Sequence, residues 1–417
     1  MSITWIVMGN VVGILYSHPE LLNNQLWLVR MAQSWWMQAF INTTLAADSF
    51  FILSGTLGAY NFLSIKSEMD KERNPCNVLS VKEYTLMIVH RIIRIFPNYI
   101  ILLLLGTNIL PYLGTGPHWK IRTQVSQTCK RNWWSNVLFV NNFYDPDHMC
   151  LSHTYFLAND FQFFLFSPIV LVPLICKPSV GFTLIGVCVV LEMMVVAGLS
   201  RGNNGNVLSM HVNKYWSMIY TKPYSRIGVY CIGLGLGYIL YHYDRTWKLK
   251  KMPLYTGWVL AVTVTTVLTF VTLDQNGAGS NYVWSWTEIA VYEALSRPAW
   301  SLALSWVIFT SSTGQGALVG KFLSARLFLP LCRITYGVFL LHPVIIIVIL
   351  ESSPYSMALT LGQLLMFSFC VLALSHLMSF AMMCCVEFPV TAFESFVILR
   401  YKDWQDRRRA RKLIGLV

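Results

Sequence analysis

What most limits the folds open to this chain is a set of ten apolar runs. They cover residues 2–17, 43–63, 88–110, 153–175, 180–199, 225–243, 253–273, 298–313, 331–350 and 359–385. Each is near the roughly 20 residues that an α-helix needs to cross a bilayer. The eighth is short and is expected to extend at its N-terminal end. A spanning segment must satisfy its own backbone hydrogen bonds, which leaves helices or a closed barrel. Barrel strands would alternate over roughly ten-residue segments, whereas these runs are continuous. The expected fold is all-α: a polytopic membrane helix bundle of about ten transmembrane helices. The composition agrees, at 12% charged and a mean hydropathy of +0.52. A soluble domain carries about 25% charged residues.

A formal net charge of +12 would suit nucleic acid, but the basic residues gather in short segments between the apolar runs. That distribution sets membrane topology, so membrane lipid is an expected partner and nucleic acid is not. The segment 64–87 carries Lys66, Lys71, Arg73 and Lys82, with Arg91 and Arg94 just beyond. With this segment on the cytoplasmic side, 244–252, Lys321, Arg326 and the C-terminal tail share that side. Loops 18–42, 111–152, 200–224, 274–297 and 351–358 then face the other way. Lys120, Arg122, Lys130 and Arg131 are an exception that a bias in totals tolerates. Residues 1–395 are read as one transmembrane domain and 396–417 as a basic cytoplasmic tail. The "DRRRARK" cluster of that tail is open to two readings, a topology signal or a site for anionic lipid heads. The chain opens inside an apolar run with no basic segment before it, so further sequence is expected upstream of Met1. A multi-pass protein of the secretory pathway or plasma membrane is expected.

Of the ten cysteines, only Cys129 and Cys150 fall in the longest outer loop. A reducing cytosol does not reach that loop, so a disulfide between them is expected. It would contribute roughly 3 kcal/mol in the chain-entropy model. No Cys/His spacing points to a metal, and there is no Walker loop or dinucleotide glycine pattern.

The polar residues inside the runs carry the functional signal. "HTYFLANDFQFFLFSP" (153–168) holds His153, Asn159, Asp160 and Gln162 within an otherwise apolar span. A central Asp costs roughly 2.5–3.5 kcal/mol on insertion scales, so Asp160 is expected to be functional or paired. The same holds for Asp48 in "AADSFFILSGTLGAY" (46–60). Ser54 and Gly55 of that stretch either allow close helix approach or line a substrate path. "HRIIRIFPNY" (90–99) places His90 and Arg94 on one face and Arg91 and Arg94 as neighbours. These guanidiniums either fork phosphates or snorkel to set topology. His342 lies mid-span ahead of a Pro, where a His marks a pathway or a proton-handling group. Glu192, inside "CVVLEMMVV", raises the same question.

Five stretches in order resemble the membrane domain of the acyltransferase-3 superfamily, and within it the animal nose-resistant-to-fluoxetine branch. "DSFFILSG" resembles a second-span D-x-F-F-x-L-S-G. Arg91, Arg94, Pro97 and Tyr99 supply R-x-x-R-x-x-P-x-Y. "CKRNWWSNVLFVNNFY" with "MCLSHTYFLANDFQFFLFSP" is typical of the animal branch, and bacterial relatives usually carry Glu at the position of Asp160. "KPYSRIGVYCIGLGLGY" and "RITYGVFLLHP" complete the set.

The resemblance implies an O-acyltransferase. An acyl group would pass from a cytoplasmic acyl-coenzyme A donor to a hydroxyl on the far side of the membrane, on a small molecule or lipid. Arg91, Arg94 and His90 would hold the donor. Asp160, His342 and Asp48 are the candidate catalytic groups, and Asn10, Ser54, His153 and Gln162 would line the substrate path. No metal is implied. The family's first span usually reads R-x10-H, with the His after a Gly as base. Here Gly9 is followed by Asn10, and the Arg would precede Met1. An amide does not titrate and cannot act as a general base. The alternative is therefore a non-catalytic relative that serves lipid or xenobiotic uptake.

Overall fold

The structure is a computed structural model that describes residues 1–69, 81–117, 119–201, 215–243, 248–273, 284–397 and 400. The tail residues 401–417, with "DRRRARK", and Lys71 and Arg73 lie outside the described residues. Each of the ten apolar runs is helical. The helices are α1 (Ser2–Ser17), α2 (Thr44–Met69), α3 (Val81–Leu104), α4 (Tyr155–Cys176) and α5 (Pro178–Arg201). They continue with α6 (Ile227–His242), α7 (Lys251–Phe270), α8 (Trp286–Ser312), α9 (Phe328–Glu351) and α10 (Leu361–Met382). Among the described residues there is no strand, only an isolated parallel bridge between Leu22 and Met357.

Among the described residues, six segments are long and apolar enough to cross a membrane: those built on α3, α4, α5, α7, α9 and α10. A seventh arises if α8 and the short helix Ala317–Leu323, bent by 83° from it, count as one span. The helices α1 and α6 are apolar but shorter. These features fit an integral membrane protein. The eighth run is longer than its apolar core: α8 starts at Trp286, where Ser285 and Glu288 form a reciprocal cap that satisfies the exposed N–H groups of a first turn.

Among the described residues, two larger apolar clusters build the bundle, with a third, smaller one around Tyr155, Val196 and Tyr220. Of the larger two, one joins α1, α3, α9 and α10, and the other joins α2, α4, α5 and α6. The tightest seam is between α2 and α6. A Cβ on Gly55 would stand 2.5 Å from the Tyr230 carbonyl oxygen, and one on Gly233 would stand 2.5 Å from the Ile52 carbonyl oxygen. Only glycine lets the two backbones meet so closely. Gly55 is thus a packing residue. Ser54 points elsewhere.

Loop contacts show which segments share an end. Asn23 N–H donates to the Met357 carbonyl (3.0 Å), and the Asn24 side chain donates to the Leu359 carbonyl (2.7 Å). Asn42 donates to Thr272 (2.7 Å). At the opposite end His90 meets Glu394 (2.5 Å), and Leu249 N–H donates to Gln315 (2.8 Å). The outer-type loop around the helix Lys120–Val137 is closed by a disulfide between Cys129 and Cys150, whose Cα atoms are 4.4 Å apart.

Candidate functional site

Asp48 and Asp160 both have arginine partners. Arg226 makes an ion pair with Asp48, and the two side chains are 0% and 1% exposed. The Arg226 guanidinium lies over the Tyr220 ring (4.6 Å), so the charge is shared between a carboxylate and an aromatic face. Next to it, Arg297 reaches Tyr215 (3.1 Å) and Glu293 (3.5 Å), and Tyr215 donates to Glu293 (2.5 Å). Glu192 accepts from the Gly228 N–H through one oxygen (2.5 Å), while its other oxygen, Oε1, is buried without a hydrogen-bond partner. This network ties α2, α5, α6 and α8 together. Arg226, Arg297, Glu293 and Tyr215 were not singled out from the sequence. The available signal for Glu293 and Arg297 was in "EIAVYEALSR", just ahead of the eighth run, and Arg226 stood within the sixth run in "KPYSRIGVY".

Arg91 also pairs, with Asp160. Ser54 donates to the other carboxylate oxygen (2.5 Å) and lies 3.3 Å from Arg91. The guanidinium stacks 4.3 Å from the Phe164 ring centroid. The structure therefore brings Arg91, Asp160 and Ser54 into one cluster, and Arg94 is not part of it. Arg94 is exposed and lines a separate cavity.

Gln162 joins an amide network. It donates to the Phe139 carbonyl (2.8 Å) and exchanges hydrogen bonds with Asn142 (2.9 and 3.0 Å). Asn142 also donates to Asn159 (2.7 Å). Asn136 donates to Tyr99, Thr154 and the Cys150 carbonyl. The run "NNFY" is thereby held against the start of α4. A buried amide with every group satisfied positions its neighbours.

That anchoring places His153 on the wall of the main cavity. The cavity encloses about 390 Å³ and is lined by Asn10, Thr43, Phe50, Ser152, His153, Tyr155, Phe156 and Tyr220, among others. Among the described residues, no Asp, Glu, Lys or Arg lines it. His342 lies behind this wall. Its Nδ1–H donates to the Val338 carbonyl one turn earlier (3.0 Å), since a carbonyl can only accept. The lone pair of a neutral His342 is then on Nε2, where the Asn10 amide donates at 2.8 Å. Pro343, which lacks an N–H, follows directly. The His153 ring is 6.2 Å from that of His342. Its Nε2 is buried and has no hydrogen-bond partner. Asn10, His153 and His342 thus come together, while Asp48, Asp160 and Gln162 are bonded to partners outside that cluster.

The family model for the acyltransferase domain matches residues 1–383. The chain belongs to the acyltransferase-3 family. It is 29% identical to "Nose resistant to fluoxetine protein 6" of Caenorhabditis elegans over 365 residues, covering 83% of this chain and 44% of that protein. It is 24% identical to "Regulator of hypoxia-inducible factor 1" of the same organism over 222 residues, 48% of this chain and 40% of that one. A provisionally named O-acetyltransferase of Staphylococcus aureus (strain COL) is 26% identical over 170 residues, 39% of this chain and 26% of its own length. The chain thus spans less than half the length of these relatives. No solved structure matches it significantly.

Proposed function

We propose that this chain is a membrane O-acyltransferase core that moves an acyl group from a cytoplasmic acyl-coenzyme A donor to the hydroxyl of an acceptor held in the 390 Å³ cavity. The supporting observation is the His153 Nε2, buried on the wall of that cavity without a partner. An unsatisfied buried nitrogen costs stability, and on a residue that lines a cavity a ligand hydroxyl that reached it would complete it. In the Nδ1–H tautomer, Nε2 takes the acceptor's proton as the oxygen attacks the thioester carbonyl. The carbon–sulfur bond breaks, and the imidazolium returns the proton to the departing thiolate.

In this reading ten helices cross the membrane and both ends of the chain are cytoplasmic. Glycosylation tags in 111–152 should be modified and tags in the tail should not; the reverse pattern would overturn the orientation.

A second reading, a conduit for lipid or small molecules without chemistry, is favoured by one observation. Asn10 occupies the His342 Nε2, so this imidazole is not free to accept a proton. The deciding assay is transfer of labelled acyl groups from acyl-coenzyme A by the purified full-length protein in vesicles. His153→Gln should lower turnover by about 10²–10⁴-fold, the usual contribution of a positioned base. Wild-type protein that moves lipid but never transfers or hydrolyses the acyl group would establish the conduit.

A further inference from the structure

The wall of the main cavity limits what can occupy it. Its apolar part includes Ile14, Phe40, Phe50, Phe156, Phe339 and Ile347. One side is an aromatic panel. Trp216 and Tyr220 stack with ring centroids 4.6 Å apart, and Tyr155 lies 5.7 and 5.3 Å from them. Several polar side chains of the wall are bonded within the protein. Ser17 donates to the Gly13 carbonyl (2.8 Å), Thr43 to the Phe40 carbonyl (2.5 Å), and Asn10 to His342 (2.8 Å). His153 Nε2, by contrast, has no partner.

Charge is absent from this wall among the described residues, in that no Asp, Glu, Lys or Arg lines it. Arg226, which is not part of the wall, lies 4.6 Å from the Tyr220 ring and is paired with Asp48. A cation against the aromatic panel would meet the Arg226 charge across Tyr220. An anion would find no cationic side chain on the wall. Bringing either into such a site has a desolvation cost that no partner offsets.

We infer that the acceptor is an uncharged alcohol with an apolar body. One hydroxyl would bond to His153 Nε2, and a chain or ring would cover the aromatic and aliphatic walls. A polyol would leave further hydroxyls among side chains that are already bonded, at the cost of unmade hydrogen bonds. The volume of about 390 Å³ is in the range of small-ligand pockets. The cavity also reaches the exposed Tyr16 in the last turn of α1. This assignment rests on the acyltransferase reading above, because it names the acceptor of that site.

The test measures binding to the full-length protein in nanodiscs with no donor present. The probe is a photoreactive ten-carbon alcohol with an alkyne tag, and its attachment sites are read by peptide mass. The competitors are decanol, decylamine, decanoate and glycerol. The first three share an apolar body and differ in charge, and their amounts in the membrane are matched. Glycerol has hydroxyls without the body. Labelling should fall on α1 and on residues 152–156, and decanol should compete at least about tenfold better than the other three. Thr44 lines the cavity at the first residue of α2, where a helix start tolerates negative charge. Thr44→Asp should weaken decanol and strengthen decylamine, a reversal that a misfolded variant cannot give. Thr44→Val should bind decanol nearly as wild type does. Decylamine, decanoate or glycerol competing as well as decanol overturns the inference. So does labelling confined to peptides outside the cavity, or an unchanged order of competitors in Thr44→Asp. The acyltransferase reading fails separately, if decanol occupies the cavity but no acyl group is ever transferred from acyl-coenzyme A. Transfer to glycerol but not to decanol would keep that reading and overturn this inference.

Discussion

Two polar regions lie side by side within the bundle, and they are finished in opposite ways. Around Arg226 and Arg297 the charged groups meet opposite charges or hydrogen-bonding side chains: Asp48, Glu293 and Tyr215. Around His153 the polar groups carry no formal charge, one nitrogen has no partner, and open volume adjoins it. In a low-dielectric interior an isolated charge is far costlier than an isolated neutral nitrogen. A bundle can therefore leave single atoms without a partner, as it does at His153 Nε2, Arg226 Nη2 and Glu192 Oε1, but it pairs the buried Asp48 and Arg226 charges with each other. The first region is held by ion pairs, and the second sets an unpartnered neutral nitrogen on a residue that lines open volume.

The largest effect should come from breaking the ion-paired region. Asp48→Ala strands the Arg226 charge in a site where both side chains are at most 1% exposed. Removing one partner of a buried pair costs about 3–5 kcal/mol, so the thermal midpoint in detergent should fall sharply. Replacing both partners, as Asp48→Leu with Arg226→Met, should recover most of that loss, because the apolar pair has no charge to desolvate. A single Asp48→Ala protein as stable as wild type would show that water reaches Arg226 and that the two regions are not distinct.

The opposite pattern is expected at His153. His153→Gln should leave the unfolding midpoint nearly unchanged, since Nε2 has no bond to lose, while acyl transfer drops. Ser54→Ala falls between these cases. Its hydroxyl serves the Asp160 carboxylate at 2.5 Å, and a hydrogen bond to a charged group contributes about 1.5–3 kcal/mol. Urea or heat unfolding of the Ser54→Ala protein should register a loss of that size. A loss near zero would place Asp160 within reach of water.

The helical character of the ten runs was legible because long apolar runs have few other solutions, whereas among the described residues six segments, or seven with the bent pair, are long and apolar enough to cross a membrane. The polar residues inside those runs were legible as important for the same reason, but their partners were not. Asp48 and Arg226 are 178 positions apart, and Asn10 and His342 are 332 apart. No periodicity within a helix encodes such pairings. The R-x-x-R spacing put Arg91 and Arg94 on neighbouring positions of α3, yet Asp160 draws one of them inward and the other faces a different cavity. Gln162 showed itself as polar, but a run of Asn residues in a preceding loop gives no hint that their amides close onto it. The N-terminal extension of α8 was expected, but its start at Trp286 was not placed, since Glu293 and Arg297 interrupt the apolar count that marks a span.

The smallest expected effect tests what Asn10 does on the cavity wall. Its amide donates to the His342 Nε2 at 2.8 Å, and the other ring nitrogen is held by the Val338 carbonyl. Asn10→Ala removes one neutral hydrogen bond, which typically contributes about 0.5–1.5 kcal/mol. The unfolding midpoint should therefore move only slightly. The informative quantity is acyl transfer. If His153 is the working base, freeing His342 changes turnover little. If turnover instead rises tenfold or more, His342 is the base and Asn10 has been holding its lone pair. Asn10→His then extends the comparison, because it removes the donor amide and adds an imidazole to the same cavity wall. A gain in Asn10→His without a gain in Asn10→Ala would assign the chemistry to position 10 itself. No gain in either variant, with turnover still lost in His153→Gln, would leave His153 as the base.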